Sequence, residues 1–306
     1  MKKLILIDGN AIVHRAYHAL PPFKTKDGEL VNAVYGFVSM LLNVLNGERP
    51  DYIAVCFDTK APTFRHEEYK EYKATRVKAP DDLYTQIPRI KEFLRAFNIP
   101  IFERDGFEAD DVLGALSKKS KQHAEVMTYI LTGDMDTLQL IDERVNVMSP
   151  KMGLKDNIIY DVQKVLSKYG IMPKQIPDMK GLQGDSSDNI KGVAGVGPKT
   201  TKDLLQKYGT IENIYEHLGE IEGRVHENLE KDKENAFFSK KMATIKTDID
   251  VDFKLEDCET KQYNKDELVK LFEKMEFHSL LKRLDSFNAH CDKEKGNTDK
   301  LQATLF

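Results

Sequence analysis

The sequence predicts an α/β protein with a parallel-rich central sheet flanked by helices, joined to a helical subdomain. Three observations carry this. Short apolar runs of strand length recur through the first half of the chain. Helical patterns separate them, so strand and helix alternate, as in sheets covered on both faces. Past Pro150 the strand-like runs give way to one helical pattern after another.

The elements follow in order. "KKLILID" is a continuous apolar run, the mark of a strand buried on both sides. A helical pattern covers Ala33 to Leu45, and "DYIAVCFD" is the next strand. Asp81 to Phe97 reads as helix, "IPIFE" as strand, and Ala109 to Lys119 as helix. "VMTYILTGD" and "RVNVMSP" complete the predicted strands. The second half supplies "VQKVLSKYG", "PKTTKDLLQKYG", "ENLEKDKENAFFSKKMATIK" and "KDELVKLFEKMEFHSLLKRL", all helical in pattern. The expected division is an α/β core over 1–175 and a helical subdomain over 176–289. A polar, pattern-free tail over 290–306 is expected to be disordered.

Composition narrows the function classes. The 306 residues are 41% hydrophobic and 31% charged, enough to bury a core in water. The opening apolar run is only four residues long before Asp8, too short for a signal peptide, and no later run approaches a membrane span. The three cysteines, Cys56, Cys258 and Cys291, are scattered and show no metal spacing. A reduced, cytoplasmic setting is therefore expected. The net charge of −4 announces no nucleic-acid partner, so any basic surface must be local.

The chemistry lies in the acids. Predicted strands end at Asp8, at Asp58, and at Asp134 and Asp136. Ligands of open α/β sheets bind outside the carboxyl ends of strands, so these acids are expected to converge. "GFEADDVLGAL" adds Glu108, Asp110 and Asp111 where a loop enters a helix. "GDSSDN" adds Asp185 and Asp188, whose spacing of three would share one face of a helical turn. One such aspartate is ordinarily a cap. Acids at five separate loci are not explained that way. Nine carboxylates cannot share a crevice without cations, because like charges raise one another's pKa. Oxygen-only ligands select Mg²⁺, or Mn²⁺ as a substitute, over zinc. Their number suits two ions bridged by a substrate phosphate.

"LILIDGNAIVHRAYHAL", "VCFDTKAPTFRHEEYKEYKATR", "DGFEADDVLGAL", "TGDMDTLQL" and "GLQGDSSDNIKGVAGVGPKTT" occur in this order. Together they resemble the 5′ nuclease family, most closely the branch forming the N-terminal domains of bacterial DNA polymerases I. The resemblance covers Met1 to about Leu284. It implies a PIN-like fold and a two-metal, Mg²⁺-dependent 5′–3′ exonuclease and flap endonuclease. Its expected partners are DNA with 5′ flaps, nicks or 5′ ends, RNA primers included. Asp8, Asp58, Glu108, Asp110 and Asp111 would serve mainly the first ion. Asp134, Asp136, Asp185 and Asp188 would serve mainly the second. Met135 departs from the pattern, since relatives commonly carry a basic residue between these acids.

Two further stretches face nucleic acid in this reading. In "GVAGVGPKT", Gly195 and Gly197 would let backbone N–H groups approach a phosphate at the start of a helix, with Lys199 and Lys202 adding charge. Thr200 joins these candidate DNA contacts. The resemblance makes this a helix–three-turn–helix element that grips duplex DNA and can hold K⁺. From Lys60 to Pro80 six basic residues occur with three glutamates. By composition this is a solvated face; by resemblance it belongs to an arch over the active site at about 60–90. Lys73 and Arg76 would then contact the scissile phosphate, and Tyr72 could stack on an unpaired base. Arg15 matches a phosphate-facing arginine. His14 and His18 are read as surface or packing residues.

The chain ends in "LQATLF", where Gln302, Leu305 and Phe306 resemble the peptide by which bacterial replication proteins dock on the sliding clamp; a chance apolar end is the alternative. Two other functions remain open at this level: a non-catalytic binder of branched DNA, and an RNA-directed nuclease of related fold.

Overall fold

A computed structural model describes residues 1–150, 157–260 and 263–284. The tail motif at Gln302, Leu305 and Phe306 lies outside the described residues. A single six-stranded sheet runs through the first half: β1 (Lys2–Asp8), β2 (Tyr52–Cys56), β3 (Ile101–Phe102), β4 (Val126–Leu131), β5 (Val145–Pro150) and β6 (Asn157–Tyr160). Its spatial order is β3-β2-β1-β4-β5-β6. The first five strands are parallel, with Leu6 opposite Ala54 on one side and Ile130 on the other. β6, which has no counterpart in the sequence reading, pairs antiparallel with β5 at the edge.

Between and after the strands run α1 (Gly9–Ala19), α2 (Asn32–Glu48), α3 (Phe64–Glu68), α4 (Asp81–Tyr84), α5 (Ile87–Ala96) and α6 (Ala109–Ser120). Beyond β6 come α7 (Val162–Tyr169), α8 (Ile176–Gln183), α9 (Pro198–Tyr208), α10 (Ile211–Glu216), α11 (Gly223–Lys231), α12 (Lys233–Ala243) and α13 (Lys265–Lys274). The expected long helix from Glu227 to Lys246 is two: α11 and α12 meet at Asp232, and the chain turns extended at Thr244.

The two sheet faces bury separate cores. Ile5, Ile7, Ile53 and Val55 point toward α1, α2 and α5. Leu4, Leu6, Ala54 and Cys56 point toward α6 and the helical lobe, in the alternation a strand imposes. The expected helical subdomain of 176–289 is not one body. Leu268 and Phe272 of α13, with Phe277 and Leu280, join the α2–α5 core on the opposite face of the sheet. The amphipathic pattern of this segment predicts a buried face but carries no address for it.

The parallel sheet also places the acids. Asp8 ends β1 and immediately caps α1, accepting the N–H of Ala11 at 2.9 Å. Asp58 follows β2 and accepts the N–H of Ala109 at 2.7 Å, at the start of α6. Asp134 follows β4 and starts the 3-10 turn Met135–Leu140 by accepting the N–H of Asp136. Each acid satisfies an orphan helix donor, so the capping that starts a helix also turns a carboxylate toward the strand ends.

Candidate active site

At this end of the sheet opens a cavity of about 1790 Å³, lined by Asp8, Asp58, Glu108, Asp110 and Asp134 and by Lys73 and Arg76. The acids interact strongly. Burial pushes the Asp8 carboxyl up to about 7, with Asp58 and Asp134 adding repulsion, although Ala11 and Thr132 donate hydrogen bonds to it. Burial also raises Asp110 well above its ordinary value, with repulsion from Asp134 and Asp8 adding to it.

Beside them lies a second group. Asp136, Asp185 and Asp188 offer carboxylate oxygens within 4.8 Å of one another. Burial and Asp134 push Asp136 up to about 6. Burial acts in the same direction on Asp185, but Lys180 and Ser187 outweigh it and hold that group below its ordinary value. Asp185 and Asp188 do not share a helical turn. Asp185 pairs with Ile190 in a short bridged loop, which folds Asp188 back toward Asp136. The carboxylates still meet, through a loop instead of a helix face.

Donor chemistry fits divalent cations. The groups carry oxygen ligands without His or Cys, which suits Mg²⁺ or Mn²⁺. Protein cations now share the negative charge. Lys73 Nζ lies 2.5 Å from Glu108 Oε1, and Arg76 Nη2 lies 2.5 Å from Asp188 Oδ1. Lys180 bridges Asp136, at 2.7 Å, and Asp185. The sequence reading passed over Lys180. Its only signal was a lysine five residues before Asp185 on a helix ending at the loop, which puts it one turn from the acids.

Two expectations need correction. Asp111 does not face the cavity. It is fully buried, and both its oxygens are engaged by Arg65, at 2.7 and 2.9 Å. Successive residues of a helix point about 100° apart, so Asp110 and Asp111 cannot serve the same space. Tyr72 is no exposed stacking platform. It is 4% exposed, and its hydroxyl donates toward Glu108 (3.1 Å) and Asp188 (3.0 Å). Burial and the two carboxylates push its phenol far above its ordinary value. Tyr72 packs with Ile190 and Met242, so the basic stretch is docked on the second acidic group and on α12.

The other candidates are placed as follows. Arg15 lies half-buried on α1 and does not line the cavity. His14 lines it and packs edge-on against Tyr84, at 6.2 Å between ring centroids. Met135 packs against the core behind the acids. In the hairpin Gly195 is exposed with φ +73°, the left-handed region, and a Cβ there would meet Asn228 Nδ2 at 2.8 Å. Gly197 caps α9 with φ −91° and open space around it, so the fold alone does not demand glycine. Lys199 is exposed on the first turn of α9 with Thr200 beside it, while the stem of Lys202 packs against Gly170. Among the described residues no helix is long and apolar enough to cross a membrane.

The similarities to known proteins agree with this arrangement. The family described as 5'-3' exonuclease, N-terminal resolvase-like domain, matches residues 3–170, and the 5'-3' exonuclease, C-terminal SAM fold, matches residues 171–266. DNA polymerase I of Caldicellulosiruptor bescii is 46% identical over 284 residues, covering 92% of this chain and 33% of that protein. The chain thus spans about a third of the length of such polymerase relatives. The 5'-3' exonuclease of Aquifex aeolicus is 39% identical over 285 residues, covering 93% of this chain and 96% of that one. Among solved structures, the bacteriophage T5 D15 flap endonuclease in complex with DNA and metal ions has a TM-score of 0.67 at 19% identity, covering 94% and 100% of the two chains. The catalytic core of Rad2 in complex with DNA substrate has a TM-score of 0.61 at 18% identity, covering 94% and 91%. These two likenesses are of fold.

Proposed function

This chain belongs to the 5′–3′ exonuclease family, and we propose that it is an active, Mg²⁺-dependent nuclease that hydrolyses phosphodiesters at 5′ ends and 5′ flaps. One observation carries the reading: carboxylates from separate loops converge at the strand ends, and Lys73 and Arg76, which line the same cavity, pair with Glu108 and Asp188. Asp8, Asp58, Glu108 and Asp110 would hold one ion, Asp136, Asp185 and Asp188 a second, with Asp134 between the groups. Two ions so held would supply Lewis-acid charge for activating a water molecule and stabilising a leaving oxygen.

The remaining work falls to the chain's own groups. Lys73 and Arg76 hang over the acids on a segment held by hydrogen bonds, and their partners are exchangeable. A phosphate entering between them and the acids would take over their donors. Arg76 offers a fork that matches phosphate oxygens. The exposed Gly195 turn and the start of α9, with Lys199, would grip the duplex by its backbone. The buried carboxylates favour cleavage over simple branched-DNA binding, because that repulsive cluster serves no purpose in a binder.

The test is cleavage of a labelled 5′ flap beside blunt duplex, single strand and RNA flap, in Mg²⁺ and in EDTA. Asp110→Asn, Asp134→Asn and Asp188→Asn should each lower turnover at least ~100-fold, the scale of lost transition-state charge stabilisation. Binding of the same flap in Ca²⁺ should change much less. Near-normal cleavage by all three variants would sink the two-ion assignment.

A further inference from the structure

We propose that Arg65 is a positioning residue: it orients the carboxylate of Glu108 for an ion and locks the foot of the basic segment to both lobes. This deepens the reading above and rests on it. Arg65 is the second residue of α3, is 3% exposed and does not line the cavity. Its guanidinium carries five N–H donors in a rigid fork. Nη1 reaches Asp111 Oδ2 at 2.7 Å and Glu108 Oε2 at 3.3 Å. Nη2 reaches Asp111 Oδ1 and the Thr244 carbonyl, each at 2.9 Å, and Nε reaches the Met242 carbonyl at 2.8 Å. All five donors are used.

Asp111 completes the joint. Its carboxylate also accepts the backbone N–H groups of Glu108, at 3.1 Å, and Lys246, at 2.8 Å. One buried pair therefore binds three segments: the start of the basic segment, the N-terminus of α6, and the chain leaving α12. Lys246 reinforces the contact by lying 3.8 Å from the centre of the Phe64 ring.

The two cations on Glu108 differ in kind. Lys73 lies on the cavity side, on Oε1, with one strong partner. An arriving ion or phosphate can displace it. Arg65 lies behind, on Oε2, and leaves only if its four other hydrogen bonds break. Glu108 thus has an exchangeable cation in front and a fixed one behind, with the Tyr72 hydroxyl also on Oε2 at 3.1 Å and the Asp111 backbone N–H capping the same side chain, the arrangement by which outer groups hold ligating carboxylates. Lysine at position 65 would keep the charge, but a compact ammonium cannot span both Asp111 oxygens and two carbonyls.

The test uses the full chain without DNA. Free Mn²⁺ is measured by electron paramagnetic resonance, and kcat and KM on a 5′ flap are measured in parallel. Arg65→Lys, folded by circular dichroism, should weaken Mn²⁺ binding ~10-fold and lower kcat by a similar factor with KM little changed, the scale seen when a ligand's outer support is lost. Asp111→Asn should still bind the wild-type number of ions, more weakly. Wild-type Mn²⁺ affinity in folded Arg65→Lys, or the loss of one bound ion in Asp111→Asn, overturns the proposal. If neither variant folds, hydrogen exchange of the wild type decides. Ca²⁺ must protect the amides of 64–69 and of 108–112 together, and protection of one set alone overturns it. A wild-type chain that neither binds Mn²⁺ nor cuts would instead refute the nuclease reading itself.

Discussion

Replacing Asp8 by Asn should abolish cleavage and yet stabilise the protein whenever divalent ions are withheld. Asp8 is 4% exposed and faces Asp58 and Asp134, and its carboxyl is pushed from 3.8 up to about 7. The sign follows from linkage. Between these two values the folded chain holds the proton and the unfolded chain has lost it, so stability falls as pH rises from ~4 to ~7. Above that window the ionised group costs ~4 kcal/mol relative to the unfolded chain, at ~1.4 kcal/mol per pKa unit. Asparagine carries no charge and can still accept from the Ala11 N–H. It loses an acceptor for the Thr132 hydroxyl, now 2.7 Å from Oδ2, at ~1 kcal/mol. The net gain is ~3 kcal/mol, or ~5 °C in Tm for a chain of this size, if it unfolds in one step. The assay is thermal unfolding of both chains in EDTA at pH 8 and pH 5. The gain should be largest at pH 8 and shrink at pH 5, where Asp8 is already protonated. With Mg²⁺ present it should shrink or reverse, because an ion bound only to the folded wild type stabilises it. A variant no more stable than wild type at pH 8 in EDTA, or equally stabilised at both pH values, would refute the reasoning.

Three further outcomes are expected. Tyr72→Phe keeps the ring but loses the hydroxyl that bonds Glu108 and Asp188, so it should lower stability in EDTA by ~1–2 kcal/mol; an unchanged Tm would mean that these hydrogen bonds add nothing to the fold. Gly195→Ala should destabilise by ~1 kcal/mol or more because of its positive φ, whereas Gly197→Ala should leave the Tm within ~0.5 kcal/mol of wild type. Duplex binding lost by Gly197→Ala at unchanged Tm would then report close approach of a phosphate, and unchanged binding would remove Gly197 from the interface. Lys199→Ala should weaken duplex binding and flatten its salt dependence by about one charge, while Lys73→Ala should lower turnover more than affinity; the reverse pattern would exchange the two roles.

The parts of this molecule decided locally were legible in its sequence. "KKLILID" and "VMTYIL" are strands because a segment buried on both faces must be apolar throughout. Acids at the ends of those strands fall at the carboxyl edge of the sheet, where loops open. Glu108 and its neighbours announce a helix start because unpaired N–H groups there attract carboxylates. What is settled by distant partners was not legible. Nothing within "EADD" says that Asp110 faces the cavity and Asp111 faces inward. That choice depends on the rotation of α6 and on Arg65, more than forty residues away in sequence. The basic stretch is rich in exposed-looking residues, yet Tyr72 is buried because Ile190, Met242 and two carboxylates close around it. α13 has a clear apolar stripe, but only three-dimensional packing assigns it to α5 and the far side of the sheet from α12. Periodicity and capping are properties of a few adjacent residues, so the sequence alone determined strands β1 to β5, the start of α6 and the acids beside them. Facing, pairing and burial depend on groups brought together across the chain, and only the tertiary structure decided those.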